Sequence, residues 1–287
     1  MSSDRSVHVR RTITADNQSA PSSARIFRLA IRSGIQDFRQ NYTVKSWTFG
    51  WLMRVLVEVL FFALIGVLLQ DRETMLFLAV GRGLFLGVQE IMWTIQSSAW
   101  ERNEGTLPLL VSAPGKVWPV FAGRSTQWFP SALTTSLIAL FVLAPVLGVR
   151  YAGLQPVVVV IVGLVISVAG TYALALACAS LVLRAPQYRN LASNLVHAVM
   201  ALICGVHVPV EFWPTPIQWF AQTFPITHGL GAVRTALDSP VGSAIQVAVP
   251  GLLAAIAVSL AWFGLSVLLL ERFASSARRN GSIDFDD

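Results

Sequence analysis

Six long apolar runs divide this chain, at about 49–69, 74–97, 119–148, 153–183, 190–208 and 245–270. Each comes close to or exceeds the roughly 20 residues a helix needs to cross a hydrocarbon core. The third and fourth are too long for a perpendicular crossing, so tilt or extension beyond the membrane is expected. A different pattern precedes them. From Ala24 to about Asn41, Phe27, Ile31, Ile35 and Phe38 recur at three- and four-residue steps, while Arg25, Arg28, Arg32 and Arg39 fall largely on another face. That spacing predicts an amphipathic helix on an anionic membrane surface, or a soluble amphipathic helix. With its connection it occupies 24–48, after a Ser/Asp/Arg-rich tail at 1–23 that is expected to be disordered.

The stretch between the fifth and sixth runs, 208–230, breaks the pattern. Pro209, Pro214, Pro216 and Pro225 interrupt any continuous helix, and Phe212, Trp213, Trp219, Phe220 and Phe224 favour headgroup depth. A short re-entrant or interfacial hairpin is predicted there, of the kind tolerated where protein covers the backbone. The expected architecture is all-α and polytopic. It has six transmembrane helices within 49–270, the interface helix before them, the hairpin before the last, and a tail at 271–287.

Composition agrees: 54% of residues are hydrophobic and 13% charged, with mean hydropathy +0.62. The formal charge of +6 does not point to nucleic acid, because of where the charges lie. Eight basic residues precede the first run: Arg5, Arg10, Arg11, Arg25, Arg28, Arg32, Arg39 and Lys45. Arg102, Lys116, Arg124, Arg184, Arg189, Arg272, Arg278 and Arg279 fall on the same side of a six-span topology, and only Arg72, Arg150 and Arg234 on the other. The positive-inside rule then puts both termini and the 98–118 connection in the cytoplasm of a cell that holds the protein in its inner or plasma membrane. The first 23 residues are polar, so no signal peptide is expected. No internal repeat is visible, which argues against a secondary transporter built on inverted halves.

The 98–118 connection carries the most unusual local chemistry. Glu101 and Glu104 stand near the start of a possible helix, where acids favour the positive dipole end. Gly105 and Thr106 follow, Leu107, Leu109 and Leu110 offer an apolar knob, and Pro114 closes the element. A docking surface for a cytosolic partner and an ordinary polar loop both fit that pattern.

This stretch resembles the cytosolic loop motif of type-2 ABC exporter permeases, in which a Glu precedes Gly-Thr-Leu-Glu, leucines and a closing Pro. Glu101, Gly105, Thr106, Leu107, Leu110 and Pro114 match, and Pro108 stands where the family commonly has a second acid. Pro209, Glu211, Trp213, Pro214, Pro225, His228 and Arg234 resemble the same family's extracellular re-entrant segment before the last span. The resemblance implies a homodimer or a pair of similar subunits, driven by a separate ATP-binding cassette subunit that carries the ATP and magnesium. The chain has no phosphate loop of its own, since Gly115-Lys116 is followed by Val117 and lacks the first glycine. No cofactor is therefore expected in this chain.

Charges inside the spans are costly and face protein or water. Arg54 and Glu58 lie four apart on the first span. At about 1.5 Å per residue, Glu58 lies roughly 13 Å from Phe49 and Glu90 roughly 10 Å from Ser97. Similar depths predict an Arg54–Glu58–Glu90 cluster, either a lock between two helices or the inner mouth of a substrate path. Arg82 lies deeper, among Gly81, Gly83 and Gly87, and Gly83-x-x-x-Gly87 allows close helix approach. It either meets the anionic group of a lipid-like molecule or snorkels and bonds carbonyls. His197, His207 and His228 do not make a metal set, Cys178 and Cys204 are packing residues, and no spacing commends a catalytic site.

The expected function is export of a hydrophobic or amphipathic compound, a drug-like natural product or a lipid, by a non-enzymatic membrane subunit in contact with membrane lipids. A polysaccharide or lipid-linked glycan permease is the alternative within that class. An intramembrane lipid-modifying enzyme is the alternative outside it.

Overall fold

Backbone groups in hydrocarbon find no water, so a chain this apolar closes its hydrogen bonds within helices. The computed structural model describes residues 22–98, 105–113 and 115–280, without the side chains of Asn41 and Asn280. Every element among the described residues is helical. Helix α1, Ser23–Asn41, is capped by Ser22 and stops where Tyr42 turns extended. A π-helical stretch, Ser46–Leu52, leads into α2, Met53–Leu68. Asp71 caps α3, Arg72–Ile91, by accepting from the Glu73 N–H, and a hydrogen bond from the Thr74 hydroxyl holds its carboxyl below the usual range. After a turn at Met92 comes α4, Trp93–Ser98, and α5 is Leu107–Ser112.

The next crossing is a chain of short pieces: α6, Trp118–Ser125, a 3₁₀ turn, α7, Phe129–Ile138, a π stretch at Ala139–Leu143, and α8, Ala144–Val146. Pro119, Pro130 and Pro145 each sit in the first turn of a piece, where the missing N–H has no intrahelical partner to lose. Helix α9, Leu154–Val182, is uninterrupted. Then follow α10, Arg189–Ile203, two short helices, α11, Thr215–Ala221, and α12, Pro225–Leu237, and lastly α13, Ala244–Asn280.

Among the described residues, five helical stretches are long and apolar enough to cross a membrane: 46–68, 72–98, 118–146, 154–182 and 244–279. The expected span at 190–208 is different. Its helix has 15 residues and stops at the Cys204–Gly205 turn, with Gly205 at φ 83. At 1.5 Å per residue that is roughly 22 Å, short of a full hydrocarbon core. The proline-rich segment after it folds into the 3₁₀ turn Val210–Phe212 and then α11 and α12.

Small residues set the packing. Gly66 faces the Met75 backbone, Glu58 faces Arg82 and Trp51 faces Glu90, which fixes one antiparallel register for α2 and α3. On its other side α3 meets α7, where the Gly87 N–H donates to Ser136 Oγ at 2.6 Å and a Cβ on Gly83 would lie 3.0 Å from Leu140. Helix α12 is wedged between α9 and α13: Gly229 lies against Ser167, and Gly251 against Ala232. At one end of the bundle gather α1, α5, the start of α6 and the Arg278–Arg279 end of α13, here called the basic end.

The wedge gives a controlled test. A Cβ on Gly229 would overlap the Ser167 side chain, whereas nothing lies within 4 Å of one on Gly231 in the same helix. Gly229→Ala is expected to destabilise the protein by about 1–3 kcal/mol through overpacking. Gly231→Ala should be neutral or raise stability by roughly 0.5 kcal/mol through helix propensity. Thermal unfolding in detergent, followed by circular dichroism, compares the two.

Candidate coupling surface and intramembrane polar sites

Of the residues expected to form the docking element, Glu101, Glu104 and Pro114 lie outside the described residues. Gly105 has φ 67 and Gly115 φ 143, left-handed values that L side chains rarely adopt, so both flanks of α5 need glycine. Pro108 falls in the first turn of α5 and fits the helix there. Leu107 is 1% exposed and Val111 is buried with it, while Leu109 points outward at 63% exposure and Leu110 is intermediate. The leucines therefore divide into an anchor and an outward knob.

The connection is fastened to the last helix. Glu271 of α13 accepts from the Val117 and Trp118 N–H groups at 2.9 and 3.1 Å, a carboxylate on the open N-terminus of α6. Two turns further on, Arg278 donates to the carbonyls of Val111 at 2.7 Å, Gly115 at 2.9 Å and Ala113 at 3.3 Å. Its guanidinium thus meets the carbonyl end of α5, where a cation is favoured. Trp118 also packs edge-on against Phe263, at 5.9 Å between centroids. In the sequence Arg278 reads only as a topology marker, and Glu271 carries no expectation. The one signal was an acid standing where the last apolar run gives way to Arg272.

Helix α1 joins the same end. Ala30 and Gly34 pack on Gly123 and the Arg124 backbone, and Arg124 Nη2 donates to Asp37 Oδ2 at 2.7 Å. Leu29 and Ile35 stay exposed. One face of the amphipathic helix is therefore taken by α6, and an apolar strip beside it is open.

Inside the bundle the expected Arg54–Glu58–Glu90 cluster forms only in part: the Arg54 charge acts on Glu90, while Glu58 lies apart with Arg82. The α2–α3 register puts Glu90 opposite Trp51 and Glu58 opposite Arg82. Positions 51 and 58 are about 10 Å apart along the axis, so the two acids occupy different layers. Helix boundaries explain the misjudged depth, since the helical stretch begins at Ser46 and not near Phe49. Arg54 lies over the Trp51 ring at 4.5 Å. Arg82, 1% exposed, ion-pairs with Glu58, donates to Gln89 Oε1 at 2.8 Å and lies between the Phe62 and Phe85 rings at 5.5 and 5.4 Å. It does not snorkel. Its carboxylate partner sits on the neighbouring helix, beyond the reach of a same-span search. Glu90, 2% exposed, accepts from Trp51 Nε1 at 2.6 Å.

The far end holds the second expected group. Arg234 donates to the carbonyls of Gly205 at 2.5 Å and Phe77 at 3.0 Å and lies 3.5 Å over the Phe77 ring, tying α12 to α3 and to the turn after α10. His228 Nε2 lies 2.8 Å from the Gln222 carbonyl, and Pro225 opens α12. Pro209 and Pro214 precede the 3₁₀ turn and α11, and Gln218 Nε2 donates to the Trp213 carbonyl at 2.7 Å. Pro209, Glu211, His228 and Arg234 help to line a cavity of about 400 Å³. His207 stacks on Phe62 and His197 lies against Phe85, so the histidines are spread over separate contacts.

Arg82→Met is expected to cost about 2–3 kcal/mol, below the roughly 3–5 kcal/mol for breaking a fully buried pair, because the Glu58 side chain keeps 35% exposure. Adding Glu58→Gln should recover much of that loss. Thermal unfolding of both single variants and the double variant checks this, and losses that simply add would show that the pair carries no energy.

A family profile described as ABC-2 type transporter matches residues 33–237, from α1 through α12. No curated protein matches the chain. The match takes in the 105–118 connection, the Glu58–Arg82 pair and the Arg234 tie, and its members are membrane components that normally work with an ATP-binding subunit. With several membrane-crossing helices and a match over more than half its length, the chain is a transmembrane subunit of the ABC-2 type transporter family.

Proposed function

We propose that this subunit is the permease of an ATP-driven exporter that moves a hydrophobic or amphipathic compound, drug-like or lipid, out of the cytoplasm. The observation that carries the reading is the double anchoring of the 105–118 connection. Glu271 and Arg278 hold it to the end of α13, and Leu109 projects from it. A partner pressing on Leu109 pushes on a helix of 37 residues, about 55 Å long, that reaches the far side of the bundle. The charge count supports a cytoplasmic basic end. On this reading α10 makes the sixth crossing with the turn that follows it, α11 and α12 form a re-entrant pair on the extracellular face, and a second copy completes the permease. ATP and magnesium belong to the partner, since the chain carries no phosphate loop.

Inverted membrane vesicles containing the chain and its ATP-binding subunit test this. They should accumulate a lipophilic fluorescent probe only with hydrolysable ATP. Leu109→Asp, which puts a charge on the knob, and Arg278→Ala, which frees the connection, are each expected to lower accumulation about tenfold or more while leaving the folded permease in the membrane. Accumulation that follows an ion gradient without ATP would make it a secondary transporter. Turnover of a lipid by the purified chain would make it an enzyme. A lipid-linked oligosaccharide transported in place of the probe would move the cargo to the glycan class.

A further inference from the structure

Glu90 poses a problem that the coupling surface does not solve. It is 2% exposed, lies within a membrane-crossing helix, and forms no direct ion pair among the described residues; Arg54 acts on it only at longer range, and the Ser131 and Thr135 hydroxyls stand near it. A carboxylate buried in that way is costly unless a cation accompanies it. Its surroundings are unusual: Phe38, Tyr42, Trp47, Trp51, Trp93 and Trp128 line the small cavity in front of it. The rings form a continuous wall. Trp51 and Trp93 meet at 6.0 Å, Trp93 and Trp128 stack at 5.8 Å, and Phe38 and Tyr42 both abut Trp128, at 6.1 and 6.2 Å. Indole N–H groups point to specific acceptors, Trp51 to Glu90 and Trp47 to Ser131 at 2.7 Å, so the rings are held in orientation.

The space divides in two. In front of Glu90 there is about 20 Å³, room for one group the size of a water or an ammonium head. Beside it lies an apolar groove of about 570 Å³ between α1 and α7, within the range of small-molecule sites. Phe38, Tyr42, Trp47 and Ser131 border both spaces, so they form the partition between head and body. Tyr42 and Thr43 are non-helical, at the break between α1 and the π stretch that carries Trp47 and Trp51, which is where the partition is best able to give way. Arg39 lines the groove at its exposed rim. Aromatic faces attract ammonium cations, best when both are desolvated, and a carboxylate adds full charge complementarity.

We propose that the aromatic basket over Glu90 and the groove beside it bind an amphipathic organic amine, its ammonium against the Glu90 carboxylate and its apolar body in the groove. Binding in this sense needs no partner subunit. That the amine is also cargo rests on the exporter reading.

The test uses the full chain in lipid nanodiscs, without any ATP-binding subunit, and radiolabelled dodecylamine as probe. Saturable binding above that of empty discs is expected. Glu90→Gln, which keeps an acceptor for Trp51, should weaken it about tenfold or more, the loss of a desolvated cation contact of at least that size. Trp47→Ala, which leaves the carboxylate in place, should weaken it as well, with both variants checked for an unchanged elution profile. Dodecanol and dodecanoate should not compete. No saturable binding, equal binding to Glu90→Gln, or equal competition by dodecanol would overturn the proposal and leave the basket as packing around a bound water. The exporter reading fails by a different result, the absence of ATP-dependent accumulation in vesicles, whatever the discs show.

Discussion

A charge in hydrocarbon must find its partner inside the protein, and that constraint orders this bundle. Arg82 is among the largest wholly buried side chains, and it is accommodated only because Glu58 and Gln89 meet it and two aromatic rings flank it. The pair fixes the register of α2 against α3. Once that register holds, Gly66 falls against Met75, Glu90 against Trp51, and the Gly83/Gly87 face is left for α7. Apolar packing alone discriminates poorly between registers, because a helix surface of Leu, Val and Phe is much alike one turn on. The charges supply the discrimination.

The same economy appears at the helix ends. Four N–H groups at each start and four carbonyls at each finish lack intrahelical partners. Glu271 and Arg278 fill that need at the start of α6 and the end of α5, and in doing so join a surface connection to the last helix. Arg234 does the equivalent on the far side, bonding the carbonyls of Gly205 and Phe77. Helix α13 contacts both regions, through Glu271 and Arg278 at one end and through the Gly251–Ala232 approach to α12 at the other.

Much of this is legible in the sequence. Hydropathy runs match four of the five long helices of the described residues to within a few residues, while the last continues nine residues past 270; the Gly105-Thr106-Leu107 motif together with the Pro209–Arg234 pattern points to the family that the profile match shows. Gly83-x-x-x-Gly87 was rightly read as a close-approach face. The failures share a cause. Depth counted from the span ends groups Arg54, Glu58 and Glu90, but the helix starts three residues earlier, at Ser46, and the register sets Glu58 a layer away from Glu90. The partner of Arg82 stands on the next helix, and no pattern along its own helix marks it. Glu271 had no local pattern to mark it, because its role depends on where α6 happens to begin in space.

The sequence by itself determined the class of the molecule and the order of its helices, because length and hydropathy are properties of each segment taken alone. It also determined which end is basic, since charge adds along the chain without regard to packing. Tertiary structure decided which residues share a site. Register, the partition of the leucines at 107–110 into buried and exposed, and the assembly of six rings from four separate segments over one carboxylate all depend on distances between segments far apart in sequence. No periodicity within a segment encodes those distances. Only the requirement that every buried polar group be met, and every gap filled, selects them.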